Sequence, residues 1–210
     1  MKRRLYAIYK KLYSHFGPQN WWPADSPFEV IVGAILTQNT SWRNVEKAIR
    51  NLKKEKLLSV SKLSGIPQRK IARLIKPAGY YNIKAKRLNS FLKFFLADYR
   101  GSIKKMSLAD TRKLRSALLC VNGIGQETAD SILLYALNKP LFVIDAYTRR
   151  IFFRHKFIKD NQNYGKIQAL FMRNLKNSAE LFNEYHALLV RLGKEFCLKN
   201  NPRCKICPLK

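Results

Sequence analysis

Apolar residues recur at helical spacing along most of this chain. Phe28, Ile31, Val32, Ile35 and Leu36 fall at i, i+3, i+4, i+7 and i+8, one buried helix face. Asp25-Ser26-Pro27 ahead of them supplies a cap and a helix-starting proline. Leu88, Phe91, Leu92 and Phe95 repeat the spacing, as do Ile132, Leu133 and Ala136, and again Leu181, Tyr185, Leu188, Leu189 and Leu192. Breakers separate these segments: Gly65-Ile66-Pro67, Pro77-Ala78-Gly79, Gly101-Ser102, Asn138-Lys139-Pro140 and Asn200-Asn201-Pro202. No alternating β run is present, and Leu141-Phe142-Val143-Ile144 is too short to build a sheet. The pattern predicts an all-α fold of roughly ten helices with short links.

One turn within this pattern carries chemistry. Leu114, Leu118 and Val121 make an apolar face before Gly123-Ile124-Gly125, and Ala129, Ile132 and Leu133 make another after it. The pair reads as a helix-hairpin-helix. Two glycines two apart let the backbone turn tightly and approach another molecule closely. The second helix then presents its first amides, with the helix dipole behind them, as an anion site. Asp145 lies 20 residues past Gly125, behind the apolar lead-in Val143-Ile144. It reads either as an N-cap for a helix starting near Ala146 or as a semi-buried acid with a task.

Charge narrows the anion to a polyanion. There are 41 Lys and Arg against 13 Asp and Glu, a formal net charge of +28, which attracts polyanions. Basicity alone does not separate DNA from RNA or an anionic membrane surface. At 47% apolar residues a real core is expected and disorder is not. No run approaches the ~18 apolar residues of a membrane span. The basic start Met1-Lys2-Arg3-Arg4-Leu5-Tyr6 lacks the apolar stretch of a signal peptide, so a cytoplasmic, nucleoid-associated protein is expected. Three of the four cysteines crowd into the last 14 residues, which argues against a disulfide framework.

From about Trp21 to Lys210 the chain resembles the endonuclease III (helix-hairpin-helix, Gly/Pro-Asp) superfamily of DNA glycosylases. The resemblance implies that the hairpin, with Gly123, Gly125 and Thr128, grips a phosphate together with a bound monovalent cation. It implies that Asp145 drives cleavage of the N-glycosidic bond after base flipping. It places Gln38, in Leu36-Thr37-Gln38-Asn39, where a side chain fills the hole left by the flipped nucleotide. Gly79-Tyr80-Tyr81-Asn82-Ile83-Lys84 resembles the loop that wedges into the duplex. A stacking tyrosine (Tyr80 or Tyr81) is then expected there, with Lys84, Lys86 and Arg87 near phosphate; a turn packed on the core is the alternative.

Bifunctional relatives carry a lysine two residues past the second hairpin glycine, where this chain has Glu127. A glutamate cannot form an imine, so a monofunctional enzyme is implied, with water as nucleophile. Glu127 as a first-turn acid complementing the helix dipole is the plainer reading. Trp21-Trp22 and Trp42 bring the chain closest to the bacterial 3-methyladenine DNA glycosylase branch, in which two aromatics sandwich an alkylated purine. An indole face attracts such a cationic base by about 0.5–2 kcal/mol. Core packing is the alternative for Trp21 and Trp22.

Cys197-x6-Cys204-x2-Cys207 matches the run into the family's [4Fe–4S] cluster, whose fourth cysteine would fall at position 213. Three readings stay open: a fourth ligand beyond Lys210, a degenerate site without a cluster, or a three-cysteine site completed by another ligand, with zinc as the chemical runner-up. A cluster would pin the loop 198–203 and set Lys199, Arg203 and Lys205 against phosphates.

The expectation is therefore two helical lobes, 25–139 and 1–24 with 140–210, flanking a DNA-binding cleft. The protein would be a monomer acting on damaged double-stranded DNA, with no membrane partner. Its activity would be hydrolysis of alkylated purines. The rivals are an endonuclease III-like glycosylase for oxidised or mismatched pyrimidines, with or without lyase activity, and a non-catalytic DNA-binding module.

Overall fold

A computed structural model describes every residue, Met1–Lys210. The fold is all-helical, as the periodicity predicts, with no β-strand. Twelve α-helices follow in chain order: α1 Lys2–Phe16, α2 Pro27–Leu36, α3 Trp42–Lys54, α4 Val60–Ser64, α5 Gln68–Leu74, α6 Tyr81–Tyr99, α7 Ile103–Leu108, α8 Thr111–Cys120, α9 Gln126–Ser131, α10 Ala146–Arg154, α11 Tyr164–Met172 and α12 Ala179–Glu195. The number exceeds the expected ten because helices as short as α4 and α7 offer too few turns for a periodicity to show. Helix α1 also went unread: its buried positions are only Leu5 and Leu12, amid lysines and tyrosines. No helix is long and apolar enough to cross a membrane.

The chain divides into two compact units, Ala24–Lys139 and Met1–Pro23 with Pro140–Lys210. In the first, α2 is the central element. The sequence gives it one apolar stripe, yet every residue from Phe28 to Leu36 is buried. A helix apolar all round belongs inside, and α3, α6, α9 and the π-helical turn Ile132–Ala136 surround it. Its start is the expected cap: Ser26 accepts from the Glu29 amide, and Pro27 sits in the first turn. Buried Glu29 reaches back to the Asp25 amide at 3.1 Å and pairs with Lys53 at 2.7 Å.

The second unit has an aromatic centre. Phe142 stacks on Phe171 with ring centroids 3.9 Å apart, and Phe182 and Tyr185 meet Phe142 edge-on. Tyr185 donates its hydroxyl to the Leu5 carbonyl at 2.9 Å, tying α12 to α1. The β-rich run Leu141–Ile144 has no regular secondary structure, is buried and pairs with no strand. Side chains satisfy its backbone instead: Gln168 donates to the Phe142 carbonyl, and the Ile144 amide donates to the Tyr164 hydroxyl. This segment leads directly into Asp145.

Candidate active site and nucleic-acid interface

The hairpin joins α8 to α9. Asp110 caps α8 by accepting from the Lys113 amide. The turn closes with the Ile124 amide on the Val121 carbonyl at 3.0 Å. Gly123 has φ +85°, in the left-handed region, and a Cβ there would meet the Arg87 side chain at 2.2 Å. Gly125 differs: its φ of −90° suits any residue, and a Cβ built there meets nothing within 4 Å. Gly123 serves the turn, whereas Gly125 leaves an open approach in front of α9. Behind the turn, Arg115 grips Asp130 in a bidentate pair, with Nε to Oδ1 at 2.6 Å and Nη2 to Oδ2 at 3.0 Å. Asp130 is fully buried, so this pair locks α8 against α9. An acid in an otherwise apolar helix face is the signal of such a pair in the sequence.

Gln38 meets the hairpin. Its Nε2 donates to the Gly123 carbonyl and to Thr128 Oγ1, both at 2.9 Å, while its Oε1 accepts a very short bond from Arg87 Nη1. Four residues singled out by sequence thus form one network, in which Arg87, expected near phosphate, holds Gln38. On the next turn of chain, Tyr80 is 69% exposed with φ +45° and stands at the start of α6 beside exposed Ile83. It is not packed on the core. Tyr81 is half-buried.

Lys84 corrects the expectation of a phosphate contact. It is 1% exposed, and its Nζ donates to the Leu36 carbonyl at 2.8 Å and the Ala78 carbonyl at 2.7 Å. Burial, with the like charge of Arg87 adding to it, pushes its pKa down to about 8. The helical spacing Lys84, Leu88, Phe91 put it on the inner face of α6, a signal outweighed by its charge. Lys86 remains exposed, as do Lys199, Arg203 and Lys205.

In the other unit Asp145 is both readings at once. It caps α10, with Oδ1 accepting from the Thr148 amide at 2.7 Å, and it is 9% exposed. Oδ2 lies 3.7 Å from Nε2 of buried His186. Burial lowers the His186 pKa, and the Asp145 charge works against that shift. His186 lies 41 residues after Asp145 in the chain, and no local spacing brings the two together. A carboxylate with one oxygen fixed by an amide has a defined direction for the other, which suits orienting a water or facing a developing cation.

Glu127 is exposed in the first turn of α9. Trp21 and Trp22 are half-buried, their ring centroids 5.3 Å apart, and Lys194 Nζ sits 5.8 Å from the centroid of Trp21. Trp42 is half-buried in the other unit and donates to Glu46 at 2.9 Å. None of the three tryptophans is a core residue.

Cys197 and Cys204 lie near enough to Cys207 to help burial raise its pKa. Cys197 is buried and Cys204 is exposed, and no three ligating side chains are set to hold a metal ion. A [4Fe–4S] cluster takes four thiolates, of which Cys197, Cys204 and Cys207 would supply three. The loop they occupy is held by arginines of α10. Arg150 donates to the carbonyls of Cys197 and Gly193, and Arg154 to those of Leu198 and Lys199 and to the Cys197 sulfur.

Residues 32–177 match the HhH-GPD superfamily of base excision DNA repair proteins. The chain belongs to that family. It is 50% identical over 208 residues to a protein of Methanocaldococcus jannaschii that carries the name of a DNA repair glycosylase, covering 98% of this chain and 94% of the relative. The structure of an H. pylori 3-methyladenine DNA glycosylase bound to 1,N6-ethenoadenine superposes with a TM-score of 0.79 at 29% identity, covering 91% of this chain and 97% of that one. An endonuclease III–DNA complex superposes at 0.84 over the whole chain and 93% of its own, at 20% identity, which speaks to fold alone. The protein is a DNA glycosylase of the endonuclease III-like kind, an enzyme of base excision repair.

Proposed function

We propose that this glycosylase is monofunctional and hydrolyses the N-glycosidic bond of alkylated purines of the 3-methyladenine type in duplex DNA. The observation that carries the substrate class is the state of Trp21, Trp22 and Trp42: large aromatic faces held half-buried, in a chain similar over nearly its full length to a 3-methyladenine glycosylase. Glu127 in the lyase position supports water as the nucleophile. Asp145 faces the sugar as the oxocarbenium charge develops and orients that water, its direction set by the Thr148 amide. The hairpin with Gly123, Gly125 and Thr128 takes a phosphate and a monovalent cation, Gln38 fills the vacated stack, and Tyr80 wedges the opposite strand. Lys199, Arg203 and Lys205 meet the backbone from their exposed loop.

One observation favours a second reading. A cationic base stacked on Trp21 would share that ring with the ammonium of Lys194. A neutral base, such as uracil or thymine in a mismatch, meets no such repulsion. Duplexes carrying single 3-methyladenine, 1,N6-ethenoadenine, uracil or thymine lesions separate the two by chromatography of the released base. Release of 3-methyladenine supports the first reading. Release of pyrimidines alone replaces it with the second.

A further inference from the structure

Lys84 lies too deep to touch DNA, yet both carbonyls it holds end segments that the glycosylase reading uses. Leu36 is the last residue of α2, two before Gln38. Ala78 closes the 3₁₀ turn Lys76–Ala78, two before Tyr80. We propose that Lys84 is a positioning residue that holds the Gln38 turn and the Tyr80 turn at a fixed separation by donating to one main-chain carbonyl of each. The inference rests on the reading of Gln38 and Tyr80 as the residues that fill and wedge the duplex.

The chemistry suits a lysine. One ammonium carries three donors that rotate freely, so two carbonyls from separate segments converge on a single atom. The Leu36 carbonyl stands at the negative end of the α2 dipole, which favours a cation. Three residues on, the same face of α6 presents Arg87. Its guanidinium holds the Gln38 side-chain oxygen, and its methylenes pack where a Cβ on Gly123 would stand. Lys84 therefore sets the main chain before Gln38, and Arg87 sets its side chain against the hairpin. On this reading the filling and wedging groups act together, and unstacking costs a few kcal/mol that their correct spacing helps to offset.

The test compares Lys84→Met with wild type in two assays. In hydrogen exchange without DNA, amides of residues 37–40 and 79–82 exchange faster in the variant while α8 and α9 keep their protection. In single-turnover excision, a 3-methyladenine paired in a duplex is removed about tenfold more slowly, whereas the same lesion opposite an abasic analogue is removed within about twofold of wild type, because extrusion there is already easy. Equal loss on both substrates, or unchanged exchange in both turns, overturns the proposal. Should Lys84→Met fail to fold, Lys84→Gln carries the same comparison. A wild type inactive on the lesion defeats the substrate reading alone, since the exchange assay still decides the role of Lys84.

Discussion

Each unit buries one basic side chain beside its functional residues, and burial lowers the pKa of both. Their surroundings differ. Lys84 meets only main-chain carbonyls and the like charge of Arg87, so its neighbours hold position. His186 meets a carboxylate, Asp145, at 3.7 Å, the group proposed to carry the chemistry. On the proposed reading the hairpin unit stiffens a surface that grips, and the other unit directs an acid. Binding and bond cleavage are accordingly expected to be separable by mutation.

The largest effect is expected at Asp145. Asp145→Asn keeps a cap for α10 but loses the carboxylate charge; single-turnover excision should fall by at least about a hundredfold with duplex affinity unchanged. Loss of binding along with excision would break the division between the units. Lys84→Met comes next, and here stability is the readout. The folded pKa is about 8 against 10.5 for the free side chain. Between those values the unfolded chain binds more protons, so wild-type stability should rise with pH by up to about 1.4 kcal/mol per unit. In denaturant melts from pH 8 to 10.5 the variant should lack that rise.

His186 should act in the opposite window. Its folded pKa lies below 6.5, so the unfolded chain binds more protons as pH drops through that value, and stability falls on the acid side. A His186→Gln variant should flatten this limb in the same melts. The smallest effect is expected at Arg154, which is exposed and holds the carbonyls of Leu198 and Lys199. Arg154→Ala should cost about 1 kcal/mol or less in thermal melts and loosen proteolytic protection of the loop around Lys199.

The parts of the site legible in the sequence were those fixed by backbone geometry. The Gly123 turn, the Ser26 cap and the lead into Asp145 each follow from a local rule about glycine, capping or apolar runs. Gln38 and Thr128 could be named from the family pattern, but their mutual bond spans 90 residues of chain and no local spacing encodes it. Lys84 was misplaced because a basic residue near other basic residues reads as surface, while its helical phase pointed inward. His186 and Asp145 meet through the packing of α10 on α12, a tertiary event. The cysteine spacing is a local signal, whereas the two arginines of α10 that hold the loop come from a distant helix that no spacing encodes.

The central claim is that Asp145 and water, not an amine, break the bond and leave an abasic site. Single-turnover incubation with a duplex carrying one 3-methyladenine tests it most directly, followed by gel analysis with and without alkali and with borohydride present throughout. The account predicts released base, an intact strand until alkali is added, and no protein–DNA adduct. A nicked strand without alkali, together with a borohydride-trapped adduct, would contradict it.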